Sequence, residues 1–489
     1  MTAPPQPRPE ARHARRGGRR SGRSRWRLLA VLGLLLLAVS ATVLTAAYQQ
    51  LGRTPAEIVG YLRKRLIGHP TLEMLAEPVL TTALDWLDEP DPRAPQPPFQ
   101  VPPPPGGPMR LAAPAPPVAE TRPAADPAGV LRVGPGRSLT RIAMAARLAR
   151  DGDTIEIDPG DYVADVAVWT RNNLTLRGTG PRVRLFAAGA HAEGKAIWVV
   201  RGGKVLVENI DFIGARVPDG NGAGIRLESG QLTVRNCLFH GNQNGIMTSG
   251  DARSSLVVEG SEFGYNGAGD GLTHGLYAGH IRSLSVSGSH FHHANGGHLI
   301  KSRALESHIA YNRLSDEAGG RASYELEFPN GGMARVIGNI LQQTAETRNS
   351  VMLSYGAEGL ANPVNALFMV HNTLVNDRAL GGSFVRVWPG TQQVLVRHNL
   401  WIGPGRIHIA SADDAFQVDD NARGDWSDLA QPSREDYRIR SSSRARLGLP
   451  ADARLGDELQ PRAEYQHPHR MQPLAAAATL MGAVQTPGP

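Results

Sequence analysis

Eight short lines recur along the middle of the chain, and their spacing restricts the fold more than any other feature. They are VLVENIDFIG (from Val205), LTVRNCLFHG (Leu232), LVVEGSEFGY (Leu256), LSVSGSHFHH (Leu284), SHIAYNRLSD (Ser307), ARVIGNILQQ (Ala334), FMVHNTLVND (Phe368) and VLVRHNLWIG (Val394). Each alternates apolar residues, then carries Asn or Gly, then an aromatic or aliphatic residue. The markers Asn209, Asn236, Gly260, Gly288, Asn312, Asn339, Asn372 and Asn399 are 27, 24, 28, 24, 27, 33 and 27 residues apart. A unit this short cannot bury its own apolar side chains and has to stack on its neighbours. Parallel strands ~4.8 Å apart then give one continuous core and pair every backbone group. The fold class is therefore all-β, a parallel solenoid; the multi-leucine signature of leucine-rich repeats is missing. Asn and Gly suit a tight left-handed bend, and Asn312, Asn339, Asn372 and Asn399 are expected to form an internal ladder there.

The rest of the chain reads as accessory segments. Arginines crowd a basic arm, 1–27, opposed only by Glu10, and account for the formal charge of +7. The remainder is close to neutral, so nucleic acid is not expected as a partner. Residues 28–47 are uncharged and apolar, about the ~20 residues that cross a bilayer, and the arginines orient the rest outward. This predicts a single-pass anchor in a bacterial inner membrane with the main domain in the periplasm; a cleaved signal peptide is the alternative. Amphipathic helices are predicted over 48–87 and a proline-rich, disordered linker over 88–130. The solenoid follows over 131–450, and 451–489 reads as a loose tail. Cys237 is the only cysteine, so no internal disulfide forms, and its apolar setting predicts a core residue.

The solenoid opens with a helical stretch, Leu139 to Arg150, for which Ser138 is a candidate cap, then GDTI at Gly152–Ile155 and the turn DPGDY at Asp158–Tyr162. This opening resembles that of right-handed parallel β-helix proteins of the pectate-lyase-like superfamily, where a helix covers the first coil. The resemblance implies a right-handed parallel β-helix and a polysaccharide, or another linear glycan, bound across one sheet. It does not imply a particular reaction.

Reactive side chains concentrate between His274 and Pro329, including His274, His280, His290, His292, His293 and His298. With a side-chain period of two, Arg226, Glu228, Tyr277, Lys301, Arg303, Glu325, Glu327, Ser354, Arg386 and Trp388 are expected on one outward strip. β-Elimination of a uronate needs a cation for the carboxylate, a base for the C5 proton and an acid for the leaving oxygen. Lys301 or Arg303 suits the first role, and Tyr277, His274 or His298 the others. Arg226, Glu228, Arg386 and Trp388 are candidate sugar-binding residues. Surface ion pairing of Lys301 with Glu325 and Glu327 is the alternative. Hydrolysis would instead use Glu325 and Glu327, expected ~6.5–7 Å apart as outward neighbours on one strand.

The Asp-rich motifs of polygalacturonase-like hydrolases, the clustered aspartates of calcium-dependent pectate lyases and the Asp-Pro-His-Asp motif of mannuronan epimerases are all missing. No cofactor is expected. No metal is expected either: His290, His292 and His293 lack a nearby Asp or Cys in sequence and read as turn histidines. The leading expectation is a lyase acting on an acidic polysaccharide. The alternatives are a glycan-binding or scaffold β-helix, and a glycoside hydrolase.

Overall fold

The computed structural model describes residues 59, 62, 63, 70–86, 98–110, 129–347, 349–379, 381–409, 415–434, 436–443 and 455–488. The chain divides into two compact units, 1–89 and 90–489. In the first, Pro70–Trp86 is helical, and Glu77 accepts from Arg63 Nη2 at 2.7 Å and Nε at 3.2 Å. The basic arm and the apolar run 28–47 lie outside the described residues. Among the described residues no helix is long and apolar enough to cross a membrane.

In the second unit each coil passes through three parallel sheets. One coil shows the plan: Ile300–Ser302 lies in sheet I, Glu306–Ala310 in sheet II and Arg313–Ser315 in sheet III. Sheet III stacks 11 strands. Sheets I and II are joined where Ala196–Glu208 and Ala223–Arg235 run through both. Gly203 makes that corner possible, with φ of 75° and room for no Cβ: one would stand 2.6 Å from Asn172 Cα.

The alternation seen in sequence fills the interior in rows. On sheet III, Phe212, Phe239, Phe263 and Phe291 are lateral partners, continued by Leu314, Leu341, Leu374 and Trp401. The phenylalanine rings lie 5.0, 4.6 and 4.3 Å apart and nearly parallel. Each such pair adds ~0.5–1.5 kcal/mol beyond the area it buries. Cys237 is buried in the same core, and burial pushes its thiol up to about 12, so it is no nucleophile.

The asparagine ladder is present. The amides of Asn312, Asn339 and Asn372 each donate to the Oδ1 of the next, at 2.9, 2.9 and 2.8 Å. The bend is another matter. Asn209 and Asn236 are themselves left-handed, whereas in the later coils the left-handed residues are Tyr311, Gly338, His371 and His398, one place earlier than the asparagines. The sequence marker therefore mixes two positions. An asparagine just past the bend turns inward and answers backbone groups, which leaves the bend itself to any residue whose side chain can face out.

Three other expectations change. Ser138 does not cap the first helix, which spans Ile142–Leu148. Asp165 from the following coil does, accepting from the amides of Ile142 at 2.6 Å and Ala143 at 3.0 Å. Within the proline-rich run, 98–110 lies along the solenoid: Arg184 Nη1 donates to the Gly107 carbonyl at 2.8 Å, and His240 Nε2 meets the Pro102 carbonyl at 2.9 Å. The tail is not loose from 455 to 488. Ala463–Gln466 and Arg470–Pro473 form a hairpin, and Tyr465, Met481 and Ala483 join Ile340, Val375 and Leu400 in a second buried cluster. Those three residues alternate with the inward row of sheet III, so a bare solenoid would expose them.

Candidate active site

The outward strip forms a single lateral row in sheet I. Arg226, Met247, Tyr277, Lys301, Glu327, Ser354, Arg386 and His408 are successive partners. From Arg226 to Arg386 the row climbs six rungs, roughly 29 Å at ~4.8 Å each. In it Tyr277 and Lys301 are lateral partners, with Arg303 beside them.

Lys301 is 8% exposed, and a buried ammonium requires partners. Its Nζ lies 3.1 Å from Glu327 Oε2 and 2.8 Å from Glu358 Oε1. Arg303 donates from Nη2 to Glu358 Oε2 at 2.6 Å, from Nε to the Tyr277 hydroxyl at 3.0 Å and from Nη1 to Asn330 Oδ1. One carboxylate, that of Glu358, thus bridges the two cations. It is the most exposed member of the cluster, its side chain 44% accessible, and these cations hold it below the usual carboxylate range against the opposing effect of burial.

Behind this surface layer lies a buried row of polar groups. Burial pushes Glu327 up, and its Oε2 sits 3.2 Å from His298 Nε2. The His298 amide donates to His274 Nδ1 at 3.1 Å, and His298 Nδ1 approaches the same atom at 2.8 Å. His274 Nδ1 is therefore an acceptor, so His298 carries its proton on Nδ1 and turns a lone pair toward Glu327. The pKa directions agree: burial lowers His274 to about 3 and holds His298 well below the ordinary histidine value. The His274 ring in turn stacks on Tyr277 at 5.6 Å, and His298 on Tyr324 at 4.9 Å. Both histidines therefore lie beneath the outward row, His274 against Tyr277 and His298 against Glu327.

The remaining expected residues do not join the centre. Glu325 is fully buried, and among the described residues neither carboxyl oxygen meets a partner beyond its own amide. Burial, and then the nearby Asp316, raise it well above the usual carboxylate value, and it lies in the wall, not on the surface. The Glu325–Glu327 pair expected for hydrolysis is absent for that reason. Glu228 pairs with Arg226 at 3.0 Å and lies 3.6 Å from Lys195. The Arg386 guanidinium covers the Trp388 ring at 4.6 Å, which occupies that face in place of a sugar. His280 is exposed and separate.

Glu358 and Asn330 did not stand out in sequence. The signal was there in the 33-residue interval between Asn339 and Asn372, the longest in the series. That coil carries extra chain after the strand Val351–Tyr355, and the extra chain brings Glu358 over Lys301.

The histidines of sheet III acquire acidic neighbours from adjacent coils, contrary to the sequence reading. His292, His293 and Glu317 each present a donor atom within 4.8 Å of the others. Glu262 lies 3.2 Å from His292, and His290 lies 2.9 Å from Glu317.

Residues 167–320 match the family model described as a right handed beta helix region. Among solved structures, this chain is similar to the crystal structure of pectate lyase Pel9A, with 11% identity over 73% of this chain and 96% of that one and a TM-score of 0.49. ORF18 of Geobacillus virus E2 is similar at 13% identity over 56% of this chain and 52% of that one, with a TM-score of 0.32.

Proposed function

We propose that this right-handed parallel β-helix protein acts on an acidic polysaccharide and cleaves it by β-elimination at Tyr277, Lys301 and Arg303. The observation that carries the reading is Glu358, whose carboxylate bridges Lys301 and Arg303 from an accessible position. Two fixed cations that already hold one carboxylate form a clamp for another, and a uronate supplies it. With the substrate carboxylate in the clamp, its C5 proton becomes more acidic. Tyr277, whose hydroxyl accepts from Arg303, takes that proton as the general base. The C4–O bond breaks, a C4–C5 double bond forms, and the tyrosine returns its proton to the departing oxygen. Glu327, His298 and His274 hold Lys301 and the tyrosine ring in place from below. In this reading the domain works outside a bacterial inner membrane, tethered by residues 28–47.

The test is the ultraviolet absorbance of the unsaturated uronate product, followed on a panel of acidic polysaccharides. A rise that disappears in Lys301→Ala with the fold intact supports elimination at this centre. Binding without turnover on every polymer favours a glycan-binding scaffold. New reducing ends without absorbance would indicate hydrolysis, for which Glu327 and Glu358 are the carboxyl pair available.

A further inference from the structure

Sheet III carries a second cluster of chemically capable side chains, on a different wall from Lys301. It is assembled from three successive coils: Glu262 and Tyr265, then His290, His292 and His293, then Arg313 and Glu317. We propose that His292, His293 and Glu317 bind one divalent transition-metal ion, with zinc the best match to two imidazoles and one carboxylate.

Four observations support the site. First, the donors converge. His292 Nδ1 and His293 Nδ1 are 2.7 Å apart, and Glu317 Oε2 is 3.7 Å from His293 Nδ1. An ion would sit between these ring nitrogens and the Glu317 carboxylate. Zinc bound at ~2.0–2.2 Å from each donor needs those nitrogens to spread by roughly half an ångström.

Second, the next layer of contacts is the one metal-bound histidines use. His292 turns its Nε2 to Glu262 at 3.2 Å, which keeps the proton on Nε2 and leaves Nδ1 as the donor to a metal. Glu317 is fixed the same way: Oε1 is engaged by His290 Nε2 at 2.9 Å and approached by Arg313 at 3.4 Å, so Oε2 is the oxygen left for the ion.

Third, the backbone is strained where the donors sit. His293 has φ of 47° and Glu317 φ of 54°; at the place of His293 the three preceding coils carry Gly214, Gly241 and Tyr265, the last also left-handed at 58°. Left-handed geometry costs a side-chain-bearing residue ~1–3 kcal/mol, which glycine would avoid. Fourth, access is open: the side chains of His293 and Glu317 are 15% and 19% exposed, so an ion can enter from solvent. Two imidazoles disfavour calcium and magnesium, which take oxygen ligands.

The experiment uses the full chain, stripped with chelator and titrated with zinc chloride, cobalt chloride and calcium chloride by calorimetry and visible absorbance. One zinc per chain, displaced by no calcium, is expected, with cobalt giving the intense visible bands of a four-coordinate site. His293→Gly removes a donor and relieves the left-handed bend, so it is expected to melt higher than wild type yet lose zinc affinity by ~100-fold or more. Glu262→Gln, which touches no metal, is expected to weaken zinc by ~10–100-fold. His280→Ala, at an exposed histidine outside the cluster, is expected to change nothing. The proposal is overturned if the stripped chain takes up no zinc, or if zinc binding is the same in His293→Gly and Glu317→Gln as in wild type. Lowered melting of His293→Gly with unchanged zinc binding would assign the histidine a packing role only.

Discussion

Glu358 Oε1 lies 2.8 Å from Lys301 Nζ although 57 residues separate them in sequence, and the same carboxylate holds Arg303. In the proposed reaction Glu358 competes with the substrate for its own clamp. Glu358→Gln removes the competing charge and leaves the side chain's shape. Its expected effect is ~10-fold tighter binding of an acidic oligosaccharide, about 1.4 kcal/mol, measured by calorimetry at fixed ionic strength. Weaker binding would mean that Glu358 organises the site instead of guarding it.

Tyr277→Phe deletes one hydroxyl, and that hydroxyl's partner, Arg303, keeps Glu358 and Asn330. Loss of a general base or acid costs ~10²–10⁴-fold in rate. The expected result is a fall of that size in kcat with KM nearly constant and an unchanged melting temperature. A change confined to KM would make the tyrosine a sugar contact.

Asp316 is fully buried, and burial raises its pKa from 3.8 to about 7. The folded chain thus holds a proton that the unfolded chain gives up near pH 4. Stability from this group is complete below that pH and is lost as pH rises toward 7. Asp316→Asn keeps an acceptor for the Ala322 amide, which now donates to Oδ2 at 2.7 Å, and removes the titration. Chemical denaturation at pH 5 and pH 8 should show a smaller loss across that interval in the variant than in wild type. An identical loss would assign the pH dependence elsewhere.

Asn339 accepts from the Asn312 amide and Nδ2 at 2.9 and 3.0 Å and donates to the Ile309 carbonyl at 2.7 Å. Asn339→Ala leaves these groups buried and unanswered, each at ~1–3 kcal/mol. Asn421, at the open end of the ladder and only half-buried, has water as a substitute partner. Asn421→Ala is therefore expected to be the milder of the two by denaturant titration. Equal losses would show that the rungs do not act through burial.

The solenoid was legible because its period is written in every coil: Phe212, Phe239, Phe263 and Phe291 recur at one place in the repeat and stack at one place in space. The row Tyr277, Lys301, Glu327 followed from alternation alone. Alternation did not reveal Glu325, since it has the parity of Glu327 and differs only in lying at the strand's edge, where the wall closes over it. Glu358, Glu262 and Glu317 were hidden for another reason. They reach their partners across coils, and one sequence does not state which loop folds over which strand. Nor did composition reveal the fate of Tyr465 and Met481, because a Pro- and Ala-rich tail docks only when the surface beneath it is known.

The helix Ile142–Leu148, capped by Asp165, has a further role. A stack of parallel strands has no intrinsic last member, since each terminal coil offers the next one an apolar floor and a row of backbone groups. Ile142 and Ala145 fill that floor with side chains that belong to the same core. The helix presents no strand edge of its own. It therefore closes the apolar floor of the first coil, which would otherwise offer another molecule's last coil a surface to settle on.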